Sequence, residues 1–189
     1  MATTDSQQIK VWDTGVRLFH WSLAGAFFIA YISEDDWPLT HLYSGYLIGI
    51  LLLLRLIWGF SGSRHARFRD FVYTPSTIIG YLKQAIRLRA PRHLGHNPAG
   101  GAMVLLLIAV LSITVISGIA LYGIVDFSGP LAGLMRGEQA ADVVEAIHET
   151  GANLTLLLIA VHLLGVAHSS IEHHENLVKS MITGLKRSN

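Results

Sequence analysis

Four long apolar stretches leave this chain of 189 residues few folds to choose from. They run over about 16–33, 41–60, 101–125 and 139–170. A bilayer core takes about 20 apolar residues to cross as a helix, and unpaired backbone groups are costly there, so helices are expected. Composition agrees: 51% of residues are hydrophobic and 14% charged, against about 25% charged in soluble domains. The expected fold is an all-α membrane protein, a four-transmembrane-helix bundle. A single membrane domain is expected over 1–189, with a loop at 61–100 and a tail at 171–189. The first apolar run follows the polar MATTDSQQIKVWDTGVR and shows no small-residue cleavage site, so it is expected to stay as an anchor.

Charge is segregated. Thirteen of the 14 Lys and Arg lie in or beside the N-terminal segment, the second loop and the tail, and only Arg136 lies elsewhere. The positive-inside rule then puts both termini and the second loop in the cytoplasm. The opposite face carries Glu34, Asp35, Asp36, Asp126, Glu138, Asp142, Glu145 and Glu149. Within the loop, TPSTIIGYLKQAIRLR reads as a basic amphipathic helix, with Ile78, Ile79, Leu82 and Ile86 on one side and Lys83, Arg87 and Arg89 elsewhere. Such a helix suits an anionic membrane surface, or serves only to fix topology. The tail EHHENLVKSMITGLKR is expected to continue the fourth helix along the interface.

His148 and His162 bracket the last apolar stretch. Fourteen residues is nearly four helical turns, so both imidazoles leave one helix face roughly 21 Å apart. Ionisable groups inside a membrane are costly and usually functional. Depth supplies each with a mate: His20 with His162 toward the cytoplasm, His41 with His148 toward the outside. Two stacked two-ligand sites suit axial haem ligation better than zinc, which takes three or four protein ligands. With no cysteine in the chain, disulfides, iron–sulfur clusters and thioether-linked haem are excluded. Two non-covalent, bis-histidine b haems are the expected cofactors.

Small residues add modest weight, since Gly45, Gly151 and Gly165 lie about one turn from His41, His148 and His162, while Gly25 matches His20 less well. Arg55 either snorkels to the interface or pairs with a haem propionate of the cytoplasmic-side site. His65, His93, His96, His168, His173 and His174 fall outside the depth pattern. The HHE of 173–175 reads as solvated tail. His96 and Asn97 are polar groups at the cytoplasmic interface.

The segments VWDTGVRLFHW, HLYSGY, RLIWGFSGSRHARFRDF, GHNPAGG and ENLVKSMITG resemble the bacterial cytochrome b561 family, which includes the b-type cytochrome subunits of nickel–iron hydrogenases. The resemblance runs over nearly the whole chain. It implies a four-helix bundle with two b haems held by His20, His41, His148 and His162. It also implies electron transfer between the quinone pool of a bacterial inner membrane and a partner, with His96 and Asn97 as candidate polar contacts for the quinone.

Bis-histidine ligation leaves no open iron position, which suits outer-sphere transfer. The acidic outer face would attract a basic periplasmic partner such as a c-type cytochrome, or merely complete the charge asymmetry. Quinone, membrane lipid and a periplasmic redox protein are thus the expected partners. Homo-oligomerisation stays open, and nothing points to nucleic acid. Three alternatives stand beside the electron relay. They are a superoxide:quinone oxidoreductase, a membrane anchor for a hydrogenase or dehydrogenase, and a haem-free transporter of metal ions or protons.

Overall fold

Proline sets the start of three helices in the computed structural model, which describes residues 7–188. A proline at the first helical position gives up only an N–H that has no intrahelical partner. Helix α2 begins at Pro38 and runs to Ser61; α3 is Pro75–Ala85; α4 is Pro98–Val125. The apolar pattern alone places the starts of α2 and α4 at 41 and 101, three residues late, because the prolines precede the apolar run. Helix α1 is Thr14–Ile32, opened by Asp13, whose Oδ1 accepts from the Val16 N–H at 2.8 Å. Helix α5 is Glu138–Glu172, and α6 is Leu177–Thr183.

Helices α1, α2, α4 and α5 have 19, 24, 28 and 35 residues and are long and apolar enough to cross a membrane. Their hydroxyls satisfy themselves inside the helices. Thr114 donates to the Val110 carbonyl at 2.9 Å, Ser117 to Ile113 at 2.8 Å and Thr155 to Gly151 at 2.8 Å. In hydrocarbon no water would do this instead.

The tail does not continue α5. The chain turns at His174, whose φ is +50°, and restarts at Asn176, which caps α6 by accepting from the Lys179 N–H at 2.7 Å. Gly184 ends α6 in the left-handed conformation. A Cβ there would also lie 2.6 Å from the Trp12 carbonyl oxygen, so the position requires glycine. Strand β2 (Leu185–Arg187) then pairs antiparallel with β1 (Gln8–Lys10), matching Ile9 with Lys186. Cap and stop explain the break: Asn176 and Gly184 are strong helix boundary signals that the apolar pattern overlooks.

The fold packs as two units. The terminal unit comprises the chain up to Trp21, Arg55–Val104 and the chain from Val161; the hairpin unit comprises Ser22–Leu54 and Leu105–Ala160. The hairpin unit is built on Ala26, Phe27, Ala30, Ile48, Leu52 and Leu111. The terminal unit has one cluster of Val11, Trp12, Val16 and Ala66, and another of Tyr81, Ala85 and Ala90.

Charges tie the terminal unit together. Glu175 pairs with Arg92 and, at 3.4 Å, with Lys186, which also donates to the His93 carbonyl. The HHE stretch is therefore not solvated throughout, since the Glu175 side chain is 7% exposed. Burial alone would raise the Glu175 carboxyl, but Arg92 and Lys186 outweigh it and hold the group below the usual range.

Candidate functional site

The His41–His148 pair forms within the hairpin unit. The two rings lie 5.8 Å apart between centroids, with planes at 77°. His41 Nδ1 lies 2.9 Å from the Ala30 carbonyl oxygen, and His148 Nδ1 lies 2.8 Å from that of Thr114. A carbonyl only accepts, so each Nδ1 carries the proton and each Nε2 keeps its lone pair. That is the tautomer a metal-ligating histidine adopts, and a carbonyl partner is the usual brace. A mainly apolar cleft surrounds the pair, lined by Tyr31, Gly45, Tyr46 and Ile119 among others.

Glycines hold this geometry in two ways. A Cβ on Gly118 would lie 2.7 Å from His148 Cε1, so α4 can pass the ring only as glycine. Gly45 has nothing within 4 Å of where a Cβ would stand, so no side chain fills the space one turn from His41. Gly165 is equally open beside His162. Gly151 is different: its Cβ would lie 2.4 Å from Thr114 Oγ1, so it lets two helices pack and does not open a cradle. Gly118 and the two bracing carbonyls escape a reading of side chains, because a backbone acceptor has no residue signature.

His20 and His162 fall together in the terminal unit. His20 Nδ1 is buried without a hydrogen-bond partner. Arg55 is 4% exposed, and its Nη1 is also unpartnered. The guanidinium lies over Phe68 and Phe71, at 5.1 and 5.7 Å from the ring centroids. A snorkelling arginine would reach water; this one is kept from it, and the aromatic faces give it only partial compensation.

His96 stands in the same unit, edge-on to Trp12 at 4.8 Å and tilted on Phe71 at 4.7 Å. Its Nδ1 is buried and unpartnered. Burial, reinforced by the charges of Arg55 and Lys186, pushes this imidazole down to about 3, so it stays neutral. Asn97 is already committed: its Oδ1 accepts from the Gly100 N–H at 2.7 Å and caps α4 ahead of Pro98. Of the two polar groups at GHNP, His96 is thus the one left open to a ligand.

Three of the remaining histidines have partners of their own. His65 pairs with Asp70 at 2.9 Å, His93 Nδ1 lies 2.9 Å from the Pro91 carbonyl oxygen, and His168 Nε2 lies 3.0 Å from that of Ala85.

Paired imidazoles, open glycine space and a buried cation with an unpartnered Nη1 fit a planar group with carboxylate arms that binds iron through nitrogen. The family model for prokaryotic cytochrome b561 matches residues 11–184. The chain belongs to the prokaryotic cytochrome b561 family.

It is therefore a b-type, multi-pass membrane cytochrome, and haem b is the cofactor the family implies. The cytochrome is also similar to a probable Ni/Fe-hydrogenase B-type cytochrome subunit of Rhizobium leguminosarum bv. viciae. The two are 24% identical over 216 residues, covering 95% of this chain and 89% of the relative. A protein of the same description from Bradyrhizobium diazoefficiens is 22% identical over 212 residues, covering 93% and 85%. No solved structure matches the chain.

Proposed function

We propose that this cytochrome b561-family protein is a diheme electron carrier of a bacterial inner membrane, acting as one membrane domain over 1–189. It would link the quinone pool to a redox protein on the periplasmic side, with both termini cytoplasmic. His41 and His148 would hold one haem and His20 and His162 the other, and haem b supplies the one-electron carrier at each site. The observation that carries this reading is the edge-on pair of His41 and His148, 5.8 Å apart, with both Nδ1 atoms on carbonyls. Ala30 and Thr114 fix the tautomer, leaving both Nε2 lone pairs for a ligand. Arg55 offers a buried, charged donor that a haem propionate would satisfy. His96 offers a neutral polar contact at the same end, and a quinone carbonyl is the group it suits.

Eight carboxylates on the face opposite the termini support a basic partner such as a c-type cytochrome, and disfavour superoxide as an incoming anion. A pyridine haemochrome assay on the purified protein tests the reading. Two b haems per chain are expected. One haem would leave a histidine pair structural, and none would return the chain to the transport alternative.

A second reading follows from the relatives' names: a membrane cytochrome that anchors a hydrogenase. The coverage of 89% and 85% of the relatives' lengths favours it. Co-purification of a large metal-bearing subunit from the native membrane would establish it; a protein that isolates alone would favour a soluble redox partner.

A further inference from the structure

We propose that α3 is a docking surface for an anionic lipid leaflet, a function separate from the haem reading. Two residues one turn apart, Tyr81 and Ala85, turn inward and are buried. Ile79, Leu82 and Ile86 turn outward and are 53%, 44% and 80% exposed. Bulky apolar side chains on a moored helix gain nothing from water. Leu88, just past the helix, makes the point more sharply. It holds φ at +53°, a conformation that favours glycine or asparagine, while its side chain stays 60% exposed.

What covers this face follows from where the helix is held. His168 Nε2 meets the Ala85 carbonyl oxygen at 3.0 Å, and the Ala90 N–H donates to Glu172 at 2.7 Å. Both partners lie in the last turns of α5, the 35-residue helix that crosses the membrane and ends at Glu172. The apolar face of α3 is thus moored where a spanning helix leaves the hydrocarbon. Lys83, Arg87 and Arg89 alternate with the apolar residues and enter none of the ion pairs among the described residues. Apolar side chains beside unpaired cations match acyl chains beside phosphodiester headgroups.

The absence of cysteine makes the test direct. A spin label on Ile86→Cys is followed by power saturation in nanodiscs of phosphatidylcholine alone and with phosphatidylglycerol. In the anionic discs the label should respond more to oxygen than to a water-soluble nickel chelate. Adding Lys83→Gln, Arg87→Gln and Arg89→Gln should reverse that preference. Native mass spectrometry of the unlabelled protein should show roughly tenfold weaker retention of phosphatidylglycerol in the triple variant. Haem content unchanged in both variants certifies the fold. A label open to nickel in anionic discs, or equal depth in the two lipids, overturns the proposal. So does retention that the triple variant leaves unchanged.

Discussion

The two histidine sets solve one problem by different means. In the hairpin unit, backbone carbonyls of Ala30 and Thr114 lock both imidazoles, and the surroundings are mainly apolar. In the terminal unit, His20 Nδ1 has no such brace, and the neighbourhood holds Arg55, His96 and packed aromatic rings. A carbonyl brace makes an imidazole more electron-donating and favours the oxidised metal. A nearby guanidinium favours the reduced one. On the proposed reading, a haem held by His20 and His162 would have the higher potential.

The strongest way to break this comparison is to remove a ligand. His162→Ala and His20→Ala should each abolish the same haem and leave half the total, while His41→Ala and His148→Ala abolish the other. Haemochrome content with reduced spectra reads this, and loss of different haems within one pair sinks the pairing.

Glycine substitutions come next. Gly118→Ala puts a methyl against the His148 ring, and overpacking of that kind costs about 1–3 kcal/mol, or roughly 5- to 150-fold in haem retention. Competition with a haem-binding apoprotein would measure it, with the His20–His162 haem as the internal control. Gly45→Ala meets no protein atom within 4 Å, so the apoprotein should gain up to about 1 kcal/mol of helix propensity. If haem retention also rises, the open space is not the haem's.

Arg55→Gln sharpens the electrostatic half of the contrast. A unit charge at about 6 Å in an effective dielectric of 20 is worth roughly 3 kcal/mol, on the order of 100 mV for one electron. Redox titration should show one midpoint falling by that order and the other holding still. Equal shifts in both would place Arg55 outside the terminal site.

The smallest effect concerns acid. Folded His96 stays neutral down to about pH 3, whereas an unfolded histidine protonates near 6.5. The unfolded state then binds more protons, so stability falls as pH drops below about 6.5, by at most about 1.4 kcal/mol per unit. Glu175 and Asp13, both held low, contribute losses only as pH drops through the carboxylate range. Thermal melts in detergent between pH 7.5 and 5.5 should show the slope, and His96→Phe should flatten it.

Much of the fold was legible because hydropathy is a one-dimensional signal. The four spans and the depth of His20, His41, His148 and His162 follow from residue order and a rise of 1.5 Å per residue. Helix starts drifted where the boundary signal was conformational, as at Pro38 and Pro98. The tail was misread for the same reason: a cap at Asn176 and a left-handed Gly184 outrank an apolar pattern. Asn97 looked like a ligand contact because an amide shows its chemistry in sequence but not its partner. The structure spends it on the Gly100 N–H.

Residue order alone determined that this chain carries four helices long and apolar enough to cross a membrane, without cysteine chemistry, and it led to the expectation of two imidazole pairs at matched depths. Those are consequences of hydrophobicity and helical pitch, which need no knowledge of neighbours. Only the tertiary structure decided which ring nitrogen is free and which glycine clears an imidazole. Only it showed that Arg55 is buried and that α3 turns Ile79 and Leu82 outward. Each depends on which backbone oxygen or ring stands within a few ångströms, and packing between distant segments alone sets that.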